Sequence, residues 1–241
     1  MSTFVLIHGS WHGAWCWYKV VSRLERAGHR VIAPDLPSLG RDRTPILSIT
    51  PDTWADCVCE ILQEQSEPVI LVGHSRGGMV ISQAAETMPG KISTLVYLCA
   101  LLLRDGQSVL EVAQSEANAE SLVPSNLVLD EDQGSSTVRD EAIRDAFYGS
   151  CSDEDVALAR LLLQPEAMAP LAVPIHTTAE NHGSVRRVYI QCSRDKALTP
   201  TLQRSMYTAV PCEKVMVIDT DHSPFFSAPD ELVRQLIAVA A

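Results

Sequence analysis

The sequence has no long apolar run, few aromatic residues and no excess of positive charge. Aromatic side chains make up 5% of the 241 residues, and no stretch reaches the roughly 18 apolar residues that a membrane-spanning helix needs. The formal net charge is −11 at pH 7. Because nucleic acids and anionic membranes bind basic surfaces, we expect neither of them as a partner.

Features of secretion and of metal binding are also missing. The first ten residues, MSTFVLIHGS, show no basic segment followed by a long apolar core and a cleavage site, so we expect no signal peptide. Seven cysteines are scattered along the chain without a C-x-x-C pair. An odd number of isolated cysteines is typical of reduced thiols, so we expect a cytoplasmic protein with no zinc or other metal site.

Strand-like and helix-like segments alternate along most of the chain. Short apolar runs predict β-strands at 3–9, 29–36, 68–73, 91–103, 185–193 and 213–219. Apolar residues at helical spacing predict helices at 15–28, 50–65, 76–88, 199–210 and 228–241. Strands separated by helices of about 10–15 residues indicate an α/β fold with a mostly parallel sheet and helices on both faces.

Residues 104–184 interrupt this alternation. They contain no obvious sheet strand and include acidic helical segments such as SDEDVALARLLLQPEAM. A structureless loop longer than about 15 residues is uncommon inside a compact domain. We therefore expect a helical cap, or lid, inserted into a core made of residues 1–103 and 185–241. The alternative is a mobile surface excursion.

One short motif predicts a nucleophile. Gly73-His74-Ser75-Arg76-Gly77 matches G-x-S-x-G and lies directly between a predicted strand and a predicted helix. In that context the sharp turn exposes the serine hydroxyl at the carboxyl end of the sheet. The alternative is a tight turn without a catalytic role.

A serine nucleophile needs a base and an acid, which follow it in the chain in this type of fold. His222 comes after the last predicted strand, and Asp195 comes after the strand before it. We expect His222 to be the general base and Asp195 to orient it. Asp219 and Asp221 remain alternatives for the acid, although they lie very near His222 in sequence.

Acyl transfer also needs hydrogen-bond donors for the developing oxyanion. The backbone N–H of Arg76, directly after the serine, is one candidate. The other is the backbone N–H of Ser10, in the loop HGSWHGAW after the first strand, where Gly9 permits a close turn. A plain glycine turn leading into a helix is the alternative for this loop.

The segments FVLIHGSWHGAWCWYKV, VILVGHSRGGMVI, VYIQCSRDKALTP and DTDHSPF resemble the plant methylesterase and hydroxynitrile lyase family of α/β-hydrolases. The sequence is most similar to the bacterial pyrethroid-hydrolase-type carboxylesterases of that group. The resemblance implies a Ser-His-Asp triad at Ser75, His222 and Asp195, with oxyanion donors at Ser10 and Arg76. It implies no cofactor and a small-molecule ester as substrate.

Two positions separate esterases from cyanohydrin-cleaving lyases in that family. The lyases typically carry threonine after the histidine of the first strand and lysine after the catalytic histidine. This chain has Gly9 and Ser223 there, so we expect ester hydrolysis by way of an acyl-enzyme. A hydroxynitrile lyase, a lactonase or thioesterase using the same triad, and a non-catalytic binding protein are the alternatives.

The expected substrate pocket is wide and aliphatic. Plant members of the family often carry a tryptophan in the cap, whereas residues 104–184 contain only Phe147 and Tyr148 as aromatics. We expect bulky apolar esters of the pyrethroid type, with Trp11, Phe147 and Tyr148 lining the pocket. Ordinary core packing is the alternative for Trp11. Nothing in the sequence distinguishes a monomer from a homodimer.

Overall fold

The computed structural model describes residues 1–240 and contains two sheets. The larger sheet has six parallel strands in the order β2-β1-β3-β4-β8-β9. The smaller one has three antiparallel strands in the order β5-β6-β7. The strands are β1 (Thr3–Ile7), β2 (Arg30–Ile32), β3 (Val69–His74), β4 (Ile92–Leu98), β5 (Leu127–Asp130), β6 (Ser135–Val138), β7 (Glu166–Ala167), β8 (Arg187–Cys192) and β9 (Lys214–Ile218).

Helices cover both faces of the larger sheet. The helices are α1 (Tyr18–Arg26), α2 (Pro51–Gln63), α3 (Gly77–Thr87), α4 (Val109–Ala113), α5 (Asp140–Phe147), α6 (Asp153–Leu162), α7 (Ala169–Ala172), α8 (Pro200–Ala209), α9 (Pro224–Ser227) and α10 (Pro229–Ala240). Within residues 1–240, no helix combines the length and apolar character needed to cross a membrane. The helix expected at 228–241 is α10, and Ala241 lies outside the described residues.

Two hydrophobic cores lie on opposite sides of the larger sheet because successive residues of a strand point to opposite faces. Val5 and Leu71 belong to one core, with α2, α3 and α8. Phe4 and Val72 belong to the other, with α1 and α10. This arrangement confirms the α/β fold, with a parallel sheet covered on both faces.

The insertion, residues 104–184, corrects the expectation of a purely helical cap. It contains α4–α7 but also the three-stranded sheet β5–β6–β7. These strands are two to four residues long, and β5 is mostly exposed. β6 and β7 are buried or partly buried but carry mostly polar residues, and strands this short give no clear alternation of apolar and polar positions, so the sequence pattern did not show them.

A buried ion pair joins the insertion to the core. The guanidinium of Arg76 donates from Nε to Oε1 of Glu166 over 2.8 Å, and its Nη2 lies 2.7 Å from the same oxygen. Both side chains are buried, with exposures of 1% and 0%. The guanidinium also lies 3.9 Å from the centre of the Trp54 ring. Arg76 Nη1 and Glu166 Oε2 find no hydrogen-bond partner among residues 1–240.

Replacing Glu166 by leucine leaves the Arg76 charge buried without a counter-charge, so we expect a loss of about 3–5 kcal/mol in the free energy of unfolding. The double variant Arg76→Met/Glu166→Leu removes both desolvated charges, and its stability should return to within about 1.5 kcal/mol of the wild type. Urea denaturation of the three proteins measures both differences. Equal losses in the single and double variants would contradict this account of the pair.

The backbone around α3 packs very closely against its neighbours. A Cβ on Gly77 would lie 2.9 Å from the carbonyl oxygens of both Ile7 and His8, which belong to the backbone and cannot rotate away. By contrast, a Cβ on Gly90 would meet no atom within 4 Å. Glycine at position 77 is therefore required by packing, while glycine at position 90 is not.

We expect Gly77→Ala to lower the free energy of unfolding by about 1–3 kcal/mol, because the added methyl group forces α3 away from β1. Gly90→Ala is the matched control and should change stability by no more than about 0.5 kcal/mol. Thermal or urea denaturation compares the two. Similar losses of stability at both positions would show that the close packing of α3 against β1 is not what requires glycine at position 77.

A buried histidine contributes to acid sensitivity. The Nε2 atom of His182 lies 2.9 Å from the Tyr97 hydroxyl, which also bonds to Ser82. Burial, and then the nearby positive charge of Arg187, lower the pKa of His182 to about 4. An unfolded histidine has a pKa of about 6.5. Between these values the unfolded chain binds a proton that the folded chain excludes, so stability falls as the pH is lowered.

Replacing His182 by glutamine removes this titration. The wild-type free energy of unfolding should fall more steeply between pH 6.5 and pH 4 than that of His182→Gln, by up to about 1.4 kcal/mol per pH unit. Urea denaturation at several pH values gives both slopes. Identical slopes would mean that His182 is not kept neutral by the fold.

Candidate active site

Ser75 lies in a strained turn at the carboxyl end of β3. Its φ of 54° falls in the left-handed region that residues other than glycine rarely adopt. The turn is fixed because the Ser75 carbonyl accepts hydrogen bonds from the amides of Gly78, at 3.0 Å, and Leu101, at 2.9 Å. The Ser75 amide donates to the Leu98 carbonyl over 3.3 Å. These bonds hold the backbone of Ser75 in one position.

His222 and Asp195 form a buried pair. His222 Nδ1 lies 2.7 Å from Asp195 Oδ2, and the two side chains are exposed by 2% and 0%. Asp195 also accepts hydrogen bonds from the amides of Ala197 and Leu198. The side chain of Gln203 donates to it as well, over 3.0 Å. Since an ionised carboxylate only accepts hydrogen bonds, Nδ1 carries the proton and Nε2 of a neutral His222 is the basic nitrogen.

The residue directly before Ser75 holds the backbone of His222. His74 donates from Nε2 to the carbonyl oxygen of His222 over 2.8 Å, and the two rings are 4.6 Å apart. The ring of Phe147, which lines the same cavity as Ser75, lies 5.8 Å from the ring of His222. Within residues 1–240 the imidazole bonds to Asp195 but not to the Ser75 hydroxyl. Such bonds are often long before substrate binds.

The two alternative acids have other partners. Asp221 accepts hydrogen bonds from the amides of Ser150, at 2.7 Å, and Ser223, at 3.1 Å. Its carboxylate thus anchors the loop of His222 to the insertion. The Asp219 side chain is 81% exposed and pairs with Arg194 on the surface. Asp195 is therefore the carboxylate that contacts the imidazole.

Ser10 and Arg76 lie beside Ser75 in the wall of one cavity. Within the described chain neither backbone N–H donates a hydrogen bond, so both are free to bind an oxyanion. The loop carrying Ser10 approaches closely because residue 9 is glycine. A Cβ there would lie 2.8 Å from Cβ of Ser75 and 2.9 Å from Nδ1 of His74.

Another histidine, His12, supports the loop of Ser10, a role that was not predicted from the sequence. His12 Nδ1 lies 2.6 Å from the Ser10 carbonyl, and its Nε2 lies 2.5 Å from the hydroxyl of Tyr148. Burial lowers the pKa of His12 to about 4, so the imidazole is neutral at pH 7. A neutral ring donates from Nδ1 to Ser10 and accepts at Nε2 from Tyr148. The presence of two histidines in the glycine-containing loop HGSWHGAW is the feature of the sequence that could have indicated this role.

Tyr148 consequently does not line the cavity, which corrects the expectation for this residue. It is fully buried and its hydroxyl is bound to His12 on the core side of the insertion. Trp11 and Phe147 do line the cavity. The indole N–H of Trp11 donates to the Ser136 carbonyl over 3.0 Å, and its ring packs 5.8 Å from that of Phe147. Trp11 therefore lines the cavity and also packs against its neighbours as a core residue does.

The cavity next to Ser75 has a volume of about 340 Å³ and is mostly aliphatic. One part of its wall comes from the insertion, and another comes from the segment that follows Asp195. Its apolar lining includes Val109, Leu110, Val123, Leu127, Leu171 and Leu198. Ser75 and the two candidate oxyanion donors therefore face an apolar cavity whose wall is formed partly by residues 104–184.

Three buried side chains have the spacing of a metal site, namely His74, Cys99 and His222, whose ligand atoms lie within 4.8 Å of one another. Their hydrogen bonds explain the arrangement. His74 Nε2 and Cys99 Sγ both donate to the His222 carbonyl, and His222 Nδ1 bonds to Asp195. Burial raises the pKa of Cys99, which disfavours the thiolate that binds metals.

All seven cysteines are free thiols in the structure. Four of them are buried and three are partly buried. Burial raises the pKa of Cys16 and of Cys192, so these thiols stay protonated and unreactive.

Among curated proteins, the chain resembles plant methylesterases. It is 36% identical over 247 residues to putative methylesterase 11, chloroplastic, of Arabidopsis thaliana, covering 98% of this chain and 63% of that protein. It is 34% identical over 255 residues to methylesterase 9 of the same plant, covering 100% of this chain and 98% of that protein. The chain thus spans less than two thirds of the first of these relatives and nearly all of the second.

Solved structures show the same fold. A tomato methylketone synthase I variant complexed with beta-ketoheptanoate superposes with a TM-score of 0.89 at 29% identity, over 99% of this chain and 97% of that one. A pyrethroid hydrolase from Sphingobium faniae JZ-2 superposes with a TM-score of 0.88 at 26% identity, with the same coverage.

A family model described as "Alpha/beta hydrolase family" matches residues 4–235, which is nearly the whole chain. The parallel sheet, the serine in a turn between β3 and α3, and the curated relatives agree with this match. The chain therefore belongs to the α/β hydrolase family.

Proposed function

We propose that the protein is a serine carboxylesterase that hydrolyses esters through an acyl-enzyme. The observation that carries the proposal is the buried pair of His222 and Asp195, which His74 links to the strained turn of Ser75 by its hydrogen bond to the His222 carbonyl. Two free backbone amides, those of Ser10 and Arg76, line the same cavity as this serine. The names of the methylesterase relatives support the reaction type.

Each step of the ester hydrolysis can be assigned to particular atoms of these residues. The Ser75 hydroxyl attacks the ester carbonyl while His222 Nε2 removes its proton. The amides of Ser10 and Arg76 stabilise the oxyanion, and Asp195 stabilises the imidazolium through Nδ1. His222 then protonates the leaving alcohol, which departs from the acyl-enzyme. In the second half His222 activates water, which releases the acid and restores the hydroxyl.

Apolar esters fit the site best. The cavity of about 340 Å³ lies near the lower end of the roughly 300–1,000 Å³ typical of pockets for drug-sized ligands. Its lining is mostly aliphatic, so we infer a preference for hydrophobic esters. The cavity is not the wide pocket expected from the sequence, and a preference for bulky esters of the pyrethroid type stays a prediction. We also propose that residues 104–184 act as the cap of the site, since Val109 and Leu171 come from them.

A lyase reaction on cyanohydrins has less support. Ser223 is fully buried directly after His222 and provides no positive charge for a departing cyanide. A threonine at position 9 would place its Cβ 2.8 Å from that of Ser75. Both features favour hydrolysis. Lactones and thioesters would use the same catalytic groups as esters. A cytoplasmic location and a monomeric or homodimeric state stay predictions.

Two acids near His222 provide a matched test of the triad. Asp195→Asn removes the charge that fixes the imidazole, so we expect kcat for an apolar ester to fall by about 10³–10⁴-fold. Asp219→Asn changes an exposed acid and should leave kcat within about twofold of the wild type, because it alters no group at the site. Steady-state hydrolysis of the same ester compares the variants.

Labelling with a serine-reactive phosphonate gives the control. The wild type should form one covalent adduct by mass spectrometry, and Ser75→Ala should form none. Labelling that persists in Ser75→Ala would disprove the assignment of the nucleophile. A large loss in Asp219→Asn with none in Asp195→Asn would disprove the assignment of the acid.

A further inference from the structure

A second cavity lies behind the wall of the main one. It has a volume of about 180 Å³ and is bordered by α5, α6 and β6 of the insertion. Trp11 and Phe147 line both cavities. The two aromatic rings, 5.8 Å apart, therefore form a shared partition between the second cavity and the main one.

Strand β6 completes the partition. Ser136 lines the main cavity and Thr137 lines the second one, as expected because neighbouring residues of a strand point to opposite faces. The Ser136 carbonyl accepts the indole N–H of Trp11, which fixes one half of the partition. The Phe147 side chain has no hydrogen-bonding group, so its ring is held by packing against the rings of Trp11, Tyr148 and His222.

The second cavity has a largely apolar wall and opens towards solvent. Val138, Ile143 and Leu163 line it together with the polar Gln164, whose buried Oε1 accepts no hydrogen bond within residues 1–240. Arg160 and Asp140 are also in its wall, and their partly exposed side chains pair at 3.2 Å. The ion pair leaves little net charge at this opening. The chamber suits a short uncharged apolar group better than a charged one.

The position of the second cavity places it near the path of the leaving alcohol in the proposed reaction. His222 protonates the departing alcohol in the proposed reaction, and the Phe147 ring is 5.8 Å from the His222 ring. The alcohol part of the ester must pass near His222, so it also passes near the Phe147 side of the partition. We propose that the second cavity receives the apolar alcohol part of the substrate, with the Phe147 ring as the movable gate. This inference depends on the proposed esterase function.

The test uses butyrate esters that share one acyl group and differ in the alcohol: methyl, propyl and hexyl. Thr137→Trp fills the second cavity from its far side without replacing a residue of the main cavity. We expect it to lower the ratio of kcat/KM for hexyl to methyl butyrate by about tenfold, because the longer alcohol loses its apolar contacts. Gln133→Trp adds the same side chain to the exposed turn between β5 and β6 and should leave the ratio unchanged.

A second variant opens the partition. Phe147→Ala should raise the hexyl-to-methyl ratio by about tenfold, and Phe147→Val should raise it less and serves if the alanine variant fails to fold. In Phe147→Ala/Thr137→Trp the gain should disappear. The test compares ratios of kcat/KM between esters, because Phe147 packs near His222 and its removal also changes the rate for all of the esters. Melting temperatures show that each variant is folded.

The outcomes separate the two proposals. A wild type that hydrolyses none of the esters and takes up no phosphonate contradicts the esterase function itself. An active wild type whose ratio is unchanged by Thr137→Trp, with a gain in Phe147→Ala that survives in the double variant, overturns the inference alone. That result would mean that Phe147→Ala only enlarges the main cavity.

Discussion

The close contact between the backbone of residues 73–78 and the neighbouring strands determines where the reactive serine lies. A Cβ on Gly73 would come within 2.7 Å of the Gly77 carbonyl, and a Cβ on Gly77 within 2.9 Å of the carbonyls of Ile7, at the end of β1, and of His8 directly after it. Only a chain without side chains at these points can turn so sharply from β3 into α3. The turn forces Ser75 to a φ of 54° and presents its hydroxyl at the end of the sheet.

The insertion is tied to each of the loops that form the site. Trp11 bonds to Ser136, Arg76 to Glu166, Asp221 to Ser150, and the Ala197 carbonyl to Ser121. These contacts are mostly buried, where hydrogen bonds and ion pairs are costly to break singly. Residues 104–184 therefore help to hold the loop of Ser10, the turn after Ser75 and the two loops that carry Asp195 and His222.

Burial sets the charge state of the surrounding histidines. Desolvation lowers the pKa of His8 to about 3 and that of His12 to about 4, and it lowers the pKa of His74 as well. These rings are neutral and serve as hydrogen-bonding supports for backbone carbonyls and for Leu36. The ionised carboxylate of Asp195 then faces one imidazole, that of His222, over 2.7 Å.

Local sequence patterns determined the main architecture and the serine turn. Alternating apolar strands and amphipathic helices specify a parallel sheet, and the glycines around Ser75 specify a tight turn, because both depend on nearby residues. Strand ends were less certain: the run at 91–103 is buried without interruption from Thr94 onwards, but its pairing as β4 ends at Leu98. An apolar run in the sequence indicates that its residues are buried, but it does not show which of them form hydrogen bonds in the sheet.

Tertiary structure alone decided the features that depend on distant segments. The strands of the insertion are only two to four residues long, so no local period marks them. Tyr148 turns away from the cavity because its hydroxyl meets His12, 136 positions earlier in the chain. The Arg76–Glu166 pair and the shared wall of Trp11 and Phe147 likewise require the folded chain. Sequence specifies which groups can react, and packing specifies which of them meet.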